Sequence, residues 1–260
     1  MNKAVRYSIS AVVAAGFVFG MGTLLHLTRE QRSLLACKEM TVSFEDSLEF
    51  VSEKDIRDYL GAEYGDFVGQ KLDSLGLEKI EKTLESKSAI RNAEAWITDD
   101  GVLHVSVTQR APTLRFMNGE KGFYVDDRGC IFPLHPRYTA PVPTIDGDIP
   151  IVVPEGFKGD APTEEGRRWI AGMLNLNTFI SKSRTWRNDI NHVGVEKNGD
   201  IILQTSRGAE KVVFGNSSDP KDKFQKLEKY YSSVLPEKGE GYYETVIIKY
   251  KHQIICRKDM

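Results

Sequence analysis

The chain has 260 residues, with 35 basic side chains against 37 acidic ones and a net charge of -2. That length suits an anchor and two compact domains better than one domain, and the interspersed, balanced charge excludes a broad basic surface for nucleic acid and an acidic tail. Cys37, Cys130 and Cys256 are too widely spaced for a metal-ligand motif. Free thiols are the expectation, and a pair between Cys130 and Cys256 is the one disulfide left open.

Residues Tyr7 to Thr28 contain no Asp, Glu, Lys or Arg and carry Ile9, Val12, Val13, Phe17, Val18, Phe19, Leu24, Leu25 and Leu27. As a helix rising ~1.5 Å per residue the run reaches roughly 33 Å, enough for a hydrocarbon core of ~30 Å. A cleaved signal with Lys3 and Arg6 as its basic end competes, but its apolar region normally spans only ~7 to 15 residues. A lipoprotein signal at Leu34-Leu35-Ala36-Cys37 also competes, but Arg29, Glu30 and Arg32 interrupt it. An uncleaved anchor at 7–28 behind a short cytoplasmic tail, 1–6, is therefore expected. Lys3 and Arg6 before the run are matched by Arg29, Arg32 and Lys38 after it, so charge does not orient it. The short leading tail favours a body outside the cytoplasm.

Cys37 to Phe44 alternates as a strand. Ser52 with Asp55 three residues on forms a variant capping box opening a helix with Ile56, Tyr59 and Leu60 on one face. Gly61 to Gly69 reads as a loop. Leu72 and Leu75 lead into a second helix, with Leu77, Ile80 and Leu84 on its apolar face and its end near Ser88. Ile90 to Thr98, the turn Asp99-Asp100-Gly101 and Val102 to Thr108 form a hairpin. The order strand, helix, helix, strand, strand predicts an α+β domain over 37–110, both helices covering one face of a three-stranded sheet.

Beyond Arg110, Phe123 to Asp126 and Cys130 to Pro133 flank a turn at Asp127-Arg128-Gly129. Pro133, Pro136, Pro141, Pro143, Pro150 and Pro154 argue against central strands and for an extended surface path. A helix follows from about Thr163 to Lys182. Asp189 to Glu196 and Asp200 to Thr205 pair through Asn198-Gly199, and Lys211 to Phe214 is a further strand. Pro220 opens a helix with Phe224, Leu227, Tyr231 and Val234 on one face. Tyr243 to Tyr250 and Gln253 to Arg257 are the closing strands.

Chemistry-bearing motifs for Ser hydrolysis, zinc proteolysis, dinucleotides, phosphate or calcium do not occur. The five histidines are scattered, Asp126 and Asp127 beside Gly129 read as turn chemistry, and Trp169, Trp186 and Phe179 read as core. The reading is non-enzymatic, without cofactor or metal.

Several strings in order resemble the bacterial FtsQ/DivIB cell-division family, in a Bacteroidetes-like form. They are Val105-Ser-Val-Thr-Gln-Arg-Ala-Pro112, Phe123-Tyr-Val-Asp-Asp-Arg-Gly129, Pro141-Val-Pro-Thr-Ile-Asp-Gly147, Lys226-Leu227, Ile247-Ile-Lys-Tyr250 and Gln253-Ile-Ile-Cys-Arg257. The resemblance implies an N-terminal transmembrane helix, a POTRA-like domain at 37–110, a mixed β domain with flanking helices at 111–257 and a tail at 258–260. It further implies a scaffold in the inner membrane at the septum with its body in the periplasm. Such a scaffold binds FtsB and FtsL, acts through them on FtsW and FtsI, and helps recruit and regulate septal peptidoglycan synthesis. An outer-membrane assembly or translocation factor and a membrane-tethered cell-wall hydrolase are the alternatives.

In the family a partner segment adds as a strand to a sheet edge. The terminal strand, Gln253, Ile254, Ile255, Cys256 and Arg257, is the candidate edge here, with Tyr243, Lys249 and Tyr250 as candidates to flank the partner. Unlike better-known proteobacterial relatives, this strand is short and has no Trp or Phe.

Overall fold

The computed structural model describes residues 16–23, 36–71 and 74–258. Residues 16–23, inside the expected span, are helical with Phe17, Val18 and Phe19 exposed. The rest of 7–28 and the tail 1–6 lie outside the described residues. Among the described residues no helix is long and apolar enough to cross a membrane. The chain divides into two compact units, Met1–Gln109 and Arg110–Met260.

The first unit contains β1 (Glu39–Phe44), α1 (Glu53–Tyr64), α2 (Leu77–Ser86), β2 (Ile90–Ile97) and β3 (Val102–Gln109). Its sheet has the order β1-β3-β2, with β1 parallel and β2 antiparallel to β3. Alternation along β3 sends Leu103, Val105 and Val107 into the core and leaves His104, Ser106 and Thr108 half-buried. Ile56 and Leu60 of α1 and Ile80 and Leu84 of α2 are buried in this unit. The capping box forms: Asp55 N–H donates to Ser52 Oγ at 3.3 Å and Ser52 N–H to Asp55 Oδ2 at 2.9 Å. The expected loop from Gly61 starts four residues later. Gly61 lies inside α1, and Gly65, at φ 73°, ends the helix by donating to the Gly61 carbonyl at 2.9 Å.

The second unit comprises β4 (Pro112–Asn118), β5 (Lys121–Asp126), β6 (Ile131–Pro133), β7 (Thr144–Gly147), α3 (Glu164–Lys182), β8 (Ile190–Val195), β9 (Ile201–Thr205), β10 (Gly208–Gly215) and α4 (Pro220–Lys229). A π-helical segment (Tyr230–Val234), α5 (Leu235–Lys238), β11 (Thr245–Ile247) and β12 (Ile255–Arg257) complete it. The strands form one mixed sheet in the order β12-β11-β10-β9-β8-β7-β4-β5-β6. Buried residues of α3, among them Ile170, Met173 and Leu176, share a core with Leu114, Phe116, Val195, Leu203, Val212, Phe214 and Val246.

Three features of this unit depart from expectation. Pro112–Asn118 forms β4, burying Leu114 and Phe116. The Pro-rich stretch contains β7, a central strand parallel to both β4 and β8. Proline lacks only the donor: Pro143 precedes β7 and its carbonyl accepts from Arg115 N–H at 3.0 Å. At the strand's other end Gly147, φ 100°, packs so tightly on the Val195 carbonyl that a Cβ would collide with it. The last long helix is likewise not one regular helix. The π-helical segment turns the consecutive Tyr230 and Tyr231 inward, to 1% and 8% exposure.

Candidate partner-binding edge

The two edges of the second sheet differ in how they end. At the β6 edge, Ile131 N–H donates to Gly159 O at 2.8 Å and Gly159 N–H to Ile131 O at 3.0 Å, so a loop covers it. At the other edge, among the described residues, β12 pairs only with β11, antiparallel, aligning Arg257 with Thr245, Cys256 with Val246 and Ile255 with Ile247.

The direction of the β12 main-chain groups follows from the ladder on the far side of β11. Lys211 N–H donates to Glu244 O at 2.8 Å and Ile248 N–H to Val213 O at 3.0 Å. Successive residues of a strand address opposite neighbours, so the Glu244 carbonyl, Val246 and Ile248 face β10, while Thr245 and Ile247 face β12, as does the Glu244 N–H, which donates to Arg257 O at 2.9 Å. The same alternation turns the N–H and C=O of Cys256 outward, along the edge.

Two contacts and one backbone conformation set this hairpin in place. Lys226 of α4 is buried and its Nζ donates to Tyr250 O at 2.6 Å. Lys249 Nζ binds Asp200 Oδ2 at 2.6 Å, its stem passing beside Gly215, φ 82°, where a Cβ would strike it. His252, at φ 58°, sits in the turn.

The expected closing strands are shorter than their apolar runs suggest, 245–247 and 255–257. Tyr243, Lys249, Tyr250, Gln253 and Ile254 therefore lie outside the ladder. Tyr243 packs against the main core and edge-on to Tyr242, their centroids 4.8 Å apart. Tyr250 is 45% exposed, with the Lys249 ammonium 5.4 Å from its ring centroid, and Gln253 is exposed. Ile254 and Cys256 pack on the main core, Ile255 on the opposite face, and Arg257 is exposed.

Sequence reasoning missed what lies behind Ile255. Ile202, Val213 and Ile247 form a second apolar cluster with it, and the registers place Ile202 opposite Val213, Val213 opposite Ile247 and Ile247 opposite Ile255. One aliphatic row thus crosses β9, β10, β11 and β12. The signal was present in the unbroken apolar runs Ile201-Ile202-Leu203, Val212-Val213-Phe214 and Val246-Ile247-Ile248, which make both faces of those strands apolar. Glu210 was missed too: it is buried at 2% exposure, and neither carboxylate oxygen has a hydrogen-bond partner among the described residues. Burial pushes the Cys256 thiol up, and the Glu210 charge adds to it, so the thiol is a weak nucleophile at neutral pH. All three cysteines are free. Cys130 adjoins β6 and Cys256 lies in β12, at opposite edges of the sheet, which keeps them from pairing within one chain.

Fold and edge together define a class: a strand-helix-helix-strand-strand module followed by a mixed sheet that ends on an uncovered strand. Residues 35–108 match the POTRA-like domain, and residues 111–257 match the family described as FtsQ/DivIB, C-terminal related. The chain belongs to this FtsQ/DivIB-related family, whose members are generally non-enzymatic. No curated protein matches it.

Proposed function

We propose that this protein is a non-enzymatic divisome scaffold. In this reading residues 7–28 hold it in the bacterial inner membrane, with 1–6 cytoplasmic and the two units in the periplasm at the septum. It takes no cofactor and binds no nucleic acid. Its β12 edge binds FtsB- and FtsL-like partners and through them bears on FtsW and FtsI, while the first unit serves recruitment. Membership of a cell-division family supports the role. The observation that carries the site is the β12 edge, which nothing among the described residues covers and along which alternation turns the Cys256 amide and carbonyl outward, whereas a loop closes the opposite edge. Main-chain groups so placed are a template for an added strand.

Cys256→Pro tests this directly. It removes the outward donor while leaving the bonds of Ile255 and Arg257 to β11, and proline is tolerated on an edge. The expected result is at least about a tenfold loss of FtsB-like partner in pull-down, with Cys256→Ser unaffected. In the unmodified protein, hydrogen exchange of the Cys256 amide should slow when the partner binds. Undiminished capture by the proline variant together with unchanged exchange would sink the proposal.

A further inference from the structure

The edge constrains what sequence can pair with it. We infer that the strand added at β12 carries an acidic residue facing Arg257, two positions from an aliphatic residue facing Ile255. This rests on β12 being the binding edge.

The aliphatic requirement comes from the row Ile202, Val213, Ile247 and Ile255. Its inner three members are 6 to 8% exposed. Ile255, the last, is only half-buried, because nothing lies beyond it in the sheet. A fifth strand in the same register places one side chain directly opposite Ile255, at cross-strand distance, and only an apolar side chain continues the row without stranding a polar group.

The acidic requirement comes from the neighbouring position on the same face. Arg257 is exposed, aligned with Thr245, and forms no ion pair among the described residues. From Thr245 to Lys258 the chain carries Lys249, Lys251, Arg257 and Lys258 and no Asp or Glu. Lys249 is held by Asp200, Lys251 lies in the turn outside β12, and the Lys258 ammonium lies 3.9 Å from the Tyr242 ring centroid, so Arg257 is the cation that projects in register with an added strand. Opposite charges across a ladder attract and like charges repel. Because Ile255 and Arg257 share a face, their two partners are two residues apart whether the incoming strand runs parallel or antiparallel. The residue between them faces the side of Ile254 and Cys256, which is apolar.

The test is a display library of random 12-residue segments, selected on the intact protein in detergent, with Cys256→Pro defining which segments need the edge. Edge-dependent segments are expected to carry Asp or Glu two positions from Val, Ile or Leu. They should bind Arg257→Glu about tenfold more weakly and Ile255→Thr roughly fivefold more weakly, and selection on Arg257→Glu should return Lys or Arg at the acidic position. Both substituted positions are partly or fully exposed, and circular dichroism checks that the variants fold. Edge-dependent segments with no acidic preference, or with affinity indifferent to Arg257→Glu, overturn this inference and leave the edge reading standing. If no selected segment is lost in Cys256→Pro, both fall.

Discussion

The guanidinium of Arg110 lies 2.7 Å from Oδ2 of Asp126, a carboxylate with no exposure at all. The other oxygen, Oδ1, accepts from the backbone N–H of Arg128 and of Cys130, each at 2.9 Å. One side chain therefore closes the β5–β6 turn and neutralises the arginine that opens the second unit. Arg110→Ala leaves that charge buried with its main partner gone, and the second unit should lose about 3 to 5 kcal/mol. A urea midpoint unchanged by Arg110→Ala would contradict the assignment.

Leu84 sits on the inward face of α2 with no exposure. Leu84→Asp inserts an unpaired charge among apolar side chains and should unfold the first unit, at a cost of several kcal/mol. A circular-dichroism melt that keeps both units' transitions would refute the helix-on-sheet packing.

Burial pushes the Tyr230 phenol up from 10.0 to about 12, with the Glu210 charge next in weight. In the unfolded chain the phenol ionises near its ordinary value, so its contribution is fully present below about pH 10 and is lost as pH rises through about 12. Tyr230→Phe should flatten the fall in urea midpoint between about pH 9 and about pH 11.5. Tyr231, also raised by burial, keeps part of the slope. Parallel profiles for the two proteins would show that Tyr230 does not carry the effect.

The bond from Lys226 to the Tyr250 carbonyl ties α4 to the connection between β11 and β12. A charged hydrogen bond of this kind contributes roughly 1.5 to 3 kcal/mol. Lys226→Met should therefore speed amide exchange across 245–257 and lower partner affinity, while exchange in β9 and β10 stays slow. Uniform loss of protection throughout the unit would mean that Lys226 supports the whole core instead.

The first unit was legible almost throughout because its signals are local. The capping box at Ser52 and Asp55, the spacing of Leu77, Ile80 and Leu84, and the turn at Asp99-Asp100-Gly101 each lie within a few residues of what they control. The second unit was harder. Pro143 and Pro150 pointed away from a central strand, yet β7 lies between β4 and β8, since its four residues have no proline and their partners are far along the chain. The strand at Pro112–Asn118 was missed although its signal is local: Leu114 and Phe116 alternate with Thr113 and Arg115, and Asn118 faces Lys121 across a two-residue turn.

The terminal strand shows the same division. Its apolar run and its place at the end of the order of elements were written in the sequence, and with the family resemblance they made 253–257 the candidate edge. Which edge stays open, which residue turns its main chain outward, and that Ile255 ends an aliphatic row begun at Ile202 depend on pairings between residues up to tens of positions apart. Register is a property of the whole sheet. Only the assembled fold decides it, because each strand's hydrogen bonds and side-chain facing are set by the strand beside it.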